Sequence, residues 1–189
     1  MELANIAASQ TEIAMPGTII LSHGSDSGPD ATKVSALAKV AEAIGWNALR
    51  PDFREEDKRG HAGSVQPRVD KLIELADEAT QPLVLAGSSM GAFVSGLASL
   101  QVRCAGIFLV ALPMSIPRWS QRFDMARVPA MLVHGFDDEL CPVTAAAQFA
   151  GARGIPTLLL PDDHRLSHHV EQVAQQFRSF LRRISSEVA

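Results

Sequence analysis

Residues 83–91 read LVLAGSSMG, an apolar run that leads directly into a serine pair flanked by glycines. The apolar run is typical of a strand buried on both faces, and residues 91–100 have a helical pattern. The turn between them fits G-x-S-x-G with Ser89 at its centre. Such a sharp turn forces the central residue into a strained conformation, and small glycines on both sides prevent collisions. We therefore interpret residues 87–91 as a nucleophile turn that projects the Ser89 hydroxyl above a sheet.

A serine-rich turn that caps a helix is the alternative interpretation of this segment. The strand before the turn and the helix after it favour the nucleophile. Ser88 is the weaker candidate for that role, because its side chain is expected to face the packed surroundings.

Short apolar runs and helical patterns alternate along the whole chain. Further strands are predicted at residues 18–22, 107–110, 130–133 and 157–160, with a weaker one at 47–50. Helices are predicted at residues 31–44, 65–79, 91–100, 143–152 and 170–184. This alternation predicts an α/β fold of about six mostly parallel strands with helices on both faces, because parallel neighbours need crossover connections.

Two segments are expected to be irregular. Residues 54–64 are polar and are predicted to form a surface loop before a helix. Residues 112–129 contain several prolines and have room for a short helix, but they are too few to build a separate lid domain.

Length and charge limit the class of protein. The chain has 189 residues, and we expect residues 16–189 to form a single domain and residues 1–15 an N-terminal tail or edge strand. Its 17 Lys and Arg against 21 Asp and Glu give a net charge of -4, which disfavours nucleic acid and anionic membranes as partners. No signal peptide or membrane span is indicated, so we expect a cytoplasmic monomer or homodimer.

A serine nucleophile needs a base to accept its proton and an acid to orient that base. On turns of this kind the acid and then the base follow on loops after later strands. The strand at 130–133 runs into Asp137 and Asp138, either of which could supply the acid. His164 follows the last strand and is the predicted base. His168 and His169 are the alternatives, although their position at the start of a helix favours solvent-facing roles.

Acyl transfer also needs N–H groups that stabilise a developing oxyanion. The backbone N–H of Met90 is the first predicted donor. The second is the N–H of Ser25, with Asp26 as the alternative, because the small residues of segment 23–29 allow a close approach of backbone to substrate. Predicted substrate-binding residues are His23, Gly24, Asp26, Met114, Trp119 and Leu140, and Phe53 is a further candidate wall of the cleft.

The sequence indicates no cofactor and no metal. Segment 23–29 lacks both glycine-rich phosphate-binding patterns, and no paired metal-ligand spacing occurs on one element. Cys104 and Cys141 are expected to be buried thiols, while His134 is expected to support the turn that follows its strand.

The motifs together resemble the small, lidless α/β-hydrolases of the dienelactone hydrolase and carboxylesterase type, a group of compact bacterial serine hydrolases. The resemblance rests on His23-Gly24, on residues 87–91, on the H-G-x-x-D-x-x-x-P pattern of 134–142 and on residues 163–166. It implies a three-layer α/β-hydrolase fold and selects Asp138 over Asp137 as the acid. Dienelactone hydrolases carry a cysteine where this chain has Ser89, which argues against that particular activity.

The expected function is therefore hydrolysis of a small-molecule carboxylic ester or thioester through an acyl-enzyme, with Ser89, Asp138 and His164 as catalytic triad. Hydrolysis of an amide or peptide by the same triad is one alternative. A catalytically silent binding protein of the same fold is another, because fold alone does not determine function.

Overall fold

A computed structural model describes residues 17–188. It contains one sheet of six strands: β1 (Thr18–Ser22), β2 (Asn47–Leu49), β3 (Leu83–Ser88), β4 (Gly106–Val110), β5 (Ala130–Gly135) and β6 (Thr157–Leu160). The strands lie in the order β2-β1-β3-β4-β5-β6, and every neighbouring pair is parallel. All six predicted strands are confirmed, including the weak one at 47–50.

Helices cover both faces of the sheet. They are α1 (Thr32–Glu42), α2 (Arg54–Asp57), α3 (Gly60–Asp77), α4 (Met90–Ala98), α5 (Val143–Arg153) and α6 (Val170–Val188). Helices α1 and α6 pack on one face, and α3, α4 and α5 contribute to the core on the other. The predicted three-layer α/β architecture without a separate lid domain is thus confirmed for the described residues.

Strand β3 shows how the sequence builds two cores. Successive side chains of a strand point to opposite faces, so Leu83 and Leu85 join the core beneath α3 and α4. Val84 and Ala86 join the core beneath α1 and α6. Because both faces are covered, the whole strand is buried, which explains its continuous apolar run.

The expected surface loop at 54–64 is wrong: these residues form α2 and the start of α3. Their helical turns lack an apolar stripe, so they give no periodic signal in the sequence. The segment 112–129 contains no helix, and instead it packs Ile116, Phe123 and Met125 into the core as irregular chain. The predicted tail at 1–15 lies outside the described residues.

The chain direction across the sheet changes at β1. The next strand along the chain, β2, lies on one side of β1, while β3 and all later strands lie on the other. Ligands of open parallel sheets bind beyond the carboxyl ends of the strands at such a switch point. The loops after β1 and β3 therefore form the expected place for a site.

The described helices include none with the length and hydropathy needed to cross a membrane.

A substitution at Gly91 tests how tightly the turn after β3 is packed. A Cβ atom at Gly91 would lie 2.0 Å from the Ser22 carbonyl oxygen, so Gly91→Ala must displace backbone. We expect this substitution to lower the free energy of unfolding by about 2–3 kcal/mol, measured by urea denaturation. Gly151→Ala, where a Cβ would meet nothing within 4 Å inside α5, is the control. It should be neutral or stabilise by up to about 1 kcal/mol, and equal stability of the two variants would contradict the packing described here.

Candidate active site

Ser89 lies between the end of β3 and the first residue of α4. Its backbone has φ 56° and ψ -124°, a conformation in the left-handed half of backbone space that a residue with a side chain rarely adopts. Its N–H donates to the Val110 carbonyl at 2.9 Å, which ties the turn to β4. The close packing of Gly91 against Ser22 permits this sharp turn.

Three side chains from distant loops form a hydrogen-bonded line. The Ser89 Oγ lies 3.0 Å from the His164 Nε2, and the His164 Nδ1 lies 2.8 Å from the Asp138 Oδ2. The structure therefore brings together the three residues that the sequence indicated. Of the alternatives, Ser88 is only 4% exposed and belongs to β3, while Asp137 is exposed.

Asp138 is surrounded by hydrogen-bond donors. Its Oδ1 accepts from the N–H groups of Leu140 at 3.0 Å and Cys141 at 2.7 Å, and its Oδ2 lies 3.2 Å from the His134 Nε2. Burial alone would raise the pKa of Asp138. Hydrogen bonds from His134, His164 and the Cys141 N–H outweigh that effect and hold the pKa well below its usual range. Asp138 is thus an anion fixed in one orientation.

His134 supports this carboxylate, as expected from its position at the end of a strand. It is fully buried, and its Nε2 lies 2.7 Å from the Cys141 carbonyl oxygen. A carbonyl oxygen only accepts, so the Nε2 carries a proton there. The ring therefore holds both the Asp138 carboxylate and the turn that follows it.

Lys33 is a residue near the site whose contribution sequence reasoning missed. It lies in the first turn of α1, and its Nζ donates to the His164 carbonyl at 2.8 Å. Burial lowers the pKa of Lys33 to about 8, although nearby Asp138 and Asp163 oppose that shift. The ammonium group thus anchors the loop of His164 at its backbone.

Gly135 allows the loops after β5 and β6 to approach each other. A Cβ atom at this position would lie 2.5 Å from the carbonyl oxygens of both Asp162 and Asp163. The two N–H groups that follow β5 also donate across this gap, Phe136 to the Leu160 carbonyl and Asp137 to the Asp162 carbonyl. The absence of a side chain at Gly135 therefore lets Asp138 reach His164.

His168 and His169 lie away from the serine. Both rings contact Asp162, at 3.3 Å and 2.9 Å, and the Asp162 carboxylate also accepts from the His168 N–H. His168 is exposed, whereas His169 is mostly buried. The buried Asp162 thus organises the turn before α6.

The loop after β1 lies against the serine. A Cβ atom built on Gly24 would lie 3.4 Å from the Ser89 Cβ, so the Gly24 backbone borders Ser89. Met90 is the first residue of α4, and its N–H has no acceptor within that helix. The two N–H groups predicted as oxyanion donors, of Met90 and Ser25, therefore belong to two different segments, α4 and the loop after β1.

The predictions for substrate-binding side chains need correction at two positions. His23 and Phe53 are fully buried, with ring centroids 5.2 Å apart, so neither side chain forms the cleft wall. Met114 and Trp119 are half-buried against the core. Asp26 and Leu140 are exposed, consistent with a position at a rim.

Cys141 also lies near the triad. Burial raises its thiol pKa to about 12, with a further contribution from the Asp138 charge, so the sulfur stays protonated and weakly nucleophilic. Donor atoms of Cys141, Asp138 and His164 lie within 4.8 Å of one another. The direct hydrogen bond between Asp138 and His164 leaves no space for an ion between those two groups. Cys104 is buried as expected.

A six-stranded parallel sheet between two helical layers, with a serine at a strained strand-to-helix turn, defines the α/β-hydrolase class of proteins. A family model described as an alpha/beta hydrolase domain matches residues 16–188, and the chain belongs to this family. No match was found among curated proteins.

Solved structures agree with this family. A Xanthomonas campestris pv. campestris protein assigned to the alpha/beta hydrolase superfamily is 41% identical, with 89% of this chain and 98% of that one covered and a TM-score of 0.84. An alpha-beta serine hydrolase homologue from Coxiella burnetii is 21% identical over 87% and 84% of the chains, with a TM-score of 0.69. A serine hydrolase without a lid from Xanthomonas campestris is 17% identical over 89% and 82%, with a TM-score of 0.64.

The lowered pKa of Asp138 predicts a pH dependence of stability. Because the pKa is lower in the folded state, the stabilisation is present above the unfolded value of about 3.9 and is lost as the pH falls. We expect the difference in unfolding free energy between wild type and Asp138→Asn to shrink by about 1 kcal/mol from about pH 6 to about pH 3. Urea denaturation across this range measures it.

Asp137→Asn is the matched control, because this neighbouring carboxylate is exposed. Its stability should follow wild type at every pH. A constant difference between Asp138→Asn and wild type over the whole range would contradict the assigned hydrogen-bonding of Asp138.

Proposed function

We propose that this α/β-hydrolase cleaves a carboxylic ester or thioester through an acyl-enzyme intermediate, with Ser89, His164 and Asp138 as its catalytic triad. The observation that carries the proposal is the continuous line from the Ser89 hydroxyl through both ring nitrogens of His164 to the Asp138 carboxylate. Distances of 3.0 Å and 2.8 Å are already those of a nucleophile, its base and the group that orients the base.

Acylation begins when the Ser89 Oγ attacks the carbonyl carbon of the substrate. The hydroxyl proton passes to the His164 Nε2 as the new carbon–oxygen bond forms. Asp138 fixes the ring so that its Nδ1 carries the other proton, and its negative charge stabilises the imidazolium. The tetrahedral intermediate then collapses, the bond to the leaving group breaks, and His164 returns the proton to the departing alkoxide or thiolate.

The oxyanion of the tetrahedral intermediate needs hydrogen-bond donors on the side away from His164. The N–H groups of Met90 and Ser25 are suited to this role, because they border Ser89 from two different segments. The positive end of α4 also faces the developing charge. One donor of this kind is typically worth about 3 kcal/mol of transition-state stabilisation.

Deacylation repeats the same steps with water as the nucleophile. His164 removes a proton from the water, the hydroxide attacks the acyl carbon, and the Ser89 Oγ leaves as it takes the proton from His164. The products are a carboxylic acid and the free enzyme.

The surroundings of the triad favour short or protruding acyl groups. No lid domain covers the carboxyl edge of the sheet in the described residues, and the loop that carries Asp138 presents two exposed apolar side chains. Phe136 is 63% exposed and Leu140 is 76% exposed. These side chains would offer apolar contact at an open rim, whereas a long chain needs an enclosed tunnel.

The nucleophile can be identified by labelling. We expect a fluorophosphonate probe to modify the peptide that contains Ser89, as located by mass spectrometry, and p-nitrophenyl acetate and butyrate to be hydrolysed faster than the octanoate. Ser89→Ala should abolish labelling and lower kcat by about 10³-fold or more. Ser88→Ala, which changes the buried neighbour, should keep both properties.

Labelling at Ser88, or wild-type kcat in Ser89→Ala, would refute the proposed nucleophile. Labelling at Ser89 without turnover of any ester would instead favour amide or peptide hydrolysis. An unlabelled wild-type protein would favour a binding role for the cleft.

The base can be tested against its neighbour in the same segment. His164→Ala should lower kcat for p-nitrophenyl butyrate by about 10³-fold or more, because no other side chain among residues 17–188 hydrogen-bonds to the Ser89 hydroxyl. His168→Ala, which removes an exposed ring bound to Asp162, should retain most of the activity. The reverse result would move the base to His168.

A further inference from the structure

Arg68 is a fully buried cation that the mechanism above does not use. It lies in α3 and is 0% exposed, and its guanidinium binds the Asp57 carboxylate through Nε at 2.8 Å and Nη2 at 2.5 Å. The same group lies over the Phe53 ring at 4.6 Å from its centroid. A buried charge is costly unless it is paired, and this pairing leaves further N–H groups free to bind elsewhere.

Those remaining donors contact the loop beside Ser89. The Arg68 Nη1 donates to the His23 carbonyl at 2.8 Å, and the Nη2 lies 3.3 Å from the Gly24 carbonyl oxygen. The same Gly24 oxygen accepts from the Ser27 hydroxyl at 2.9 Å and contacts the His23 Nδ1 at 2.7 Å. Three donors therefore converge on this single carbonyl.

The carbonyl of Gly24 and the N–H of Ser25 belong to one peptide group. A trans peptide is planar, and its C=O and N–H bonds point in opposite directions. A carbonyl held toward the buried Arg68 therefore turns the Ser25 N–H away from Arg68, and the neighbouring Gly24 backbone borders Ser89. The groups that bind the Gly24 carbonyl therefore set the orientation of the Ser25 N–H, the second predicted oxyanion donor.

We propose that Arg68, held by Asp57, is a positioning residue for oxyanion binding: it fixes the His23 and Gly24 carbonyls and thereby aims the Ser25 N–H at the substrate oxygen. The inference rests on the proposed hydrolase function. Helix α2 contributes to this role, because its last residue, Asp57, supplies the counter-ion of Arg68.

His23 completes the support beneath the loop. Its Nε2 accepts from the Phe53 N–H at 2.9 Å, so the Nδ1 carries the ring proton and donates to the Gly24 carbonyl. Burial lowers the pKa of His23, and the nearby Arg68 charge adds to that shift, which keeps the ring neutral. The Gly24 carbonyl thus has a neutral donor in His23 and a charged donor in Arg68.

The geometry calls for arginine. One planar guanidinium spans a carboxylate and two successive carbonyls at once, whereas a lysine ammonium is a point charge on a flexible stem. Arg68→Lys should therefore restore the charge and only part of the alignment, and Arg68→Met should remove both while retaining an unbranched side chain of similar length.

The test measures catalysis and transition-state binding together. For p-nitrophenyl butyrate we expect Arg68→Met to lower kcat by about 10- to 100-fold with KM changed less than about threefold, because the misaimed donor acts mainly in the transition state. The inhibition constant of an alkyl trifluoromethyl ketone, which forms a tetrahedral adduct with an oxyanion, should rise by a similar factor. Arg68→Lys and Asp57→Asn should give intermediate values.

Arg153 provides a matched control in the same chain. Its guanidinium also pairs with a carboxylate, Asp124, donates to a backbone carbonyl, Met125 at 2.8 Å, and lies 4.8 Å from an aromatic ring centroid, Phe149. It packs at the opposite end of the sheet strands from the triad, where α5 ends. Arg153→Met should lower Tm but leave kcat and the inhibition constant close to wild type.

The outcomes separate the two levels of the proposal. If the wild type hydrolyses the ester and the folded Arg68→Met variant keeps the wild-type kcat and inhibition constant, the positioning role alone is overturned. An inactive, unlabelled wild type would overturn the proposed function and this inference with it. If Arg68→Met does not fold, Arg68→Lys and Asp57→Asn decide: a loss of kcat matched by weaker ketone binding supports the role, and wild-type values for both overturn it.

Discussion

The hydrogen bond between the His164 Nδ1 and the Asp138 Oδ2 is the interaction on which the rest of the site depends. It joins the loops after β5 and β6, and it leaves the other ring nitrogen free to face Ser89. Its formation needs two backbone segments to approach more closely than a Cβ atom would allow, which Gly135 permits. The site is therefore a consequence of how closely neighbouring parallel strands bring the loops at their carboxyl ends.

Each loop that carries one of these groups is held by a buried or half-buried polar side chain from a strand or helix. Lys33 of α1 binds the backbone of His164, and His134 of β5 binds the carboxylate of Asp138. Arg68 of α3 binds the carbonyls of the loop that borders Ser89. Loops are ordinarily the mobile parts of a fold. Here these supports provide the fixed geometry that the proposed proton transfer and oxyanion binding require.

The sequence predicted those features of the fold and site that depend on residues close together along the chain. Continuous apolar runs predicted all six strands, and the turn at 87–91 predicted the strained conformation of Ser89. Spacing alone did not separate Asp137 from Asp138, because that choice depends on which carboxylate turns inward. The contacts of Lys33 and Arg68 with the site could not be predicted from the sequence, because the partners are far apart along the chain. Lys33 and His164 are separated by 131 residues, and Arg68 and Gly24 by 44. His23 and Phe53 were misassigned because a position in the loop after a strand does not reveal whether the side chain points into the cleft or beneath it.

The most direct test of the account is a crystal structure of the protein after reaction with a fluorophosphonate, whose tetrahedral phosphorus mimics the acylation intermediate. The account predicts a covalent bond from phosphorus to the Ser89 Oγ and a phosphonyl oxygen about 2.7–3.1 Å from the N–H groups of both Met90 and Ser25. The His164 ring should remain bonded to Asp138 on its opposite side. An adduct on another residue, or a phosphonyl oxygen turned away from both N–H groups, would contradict it.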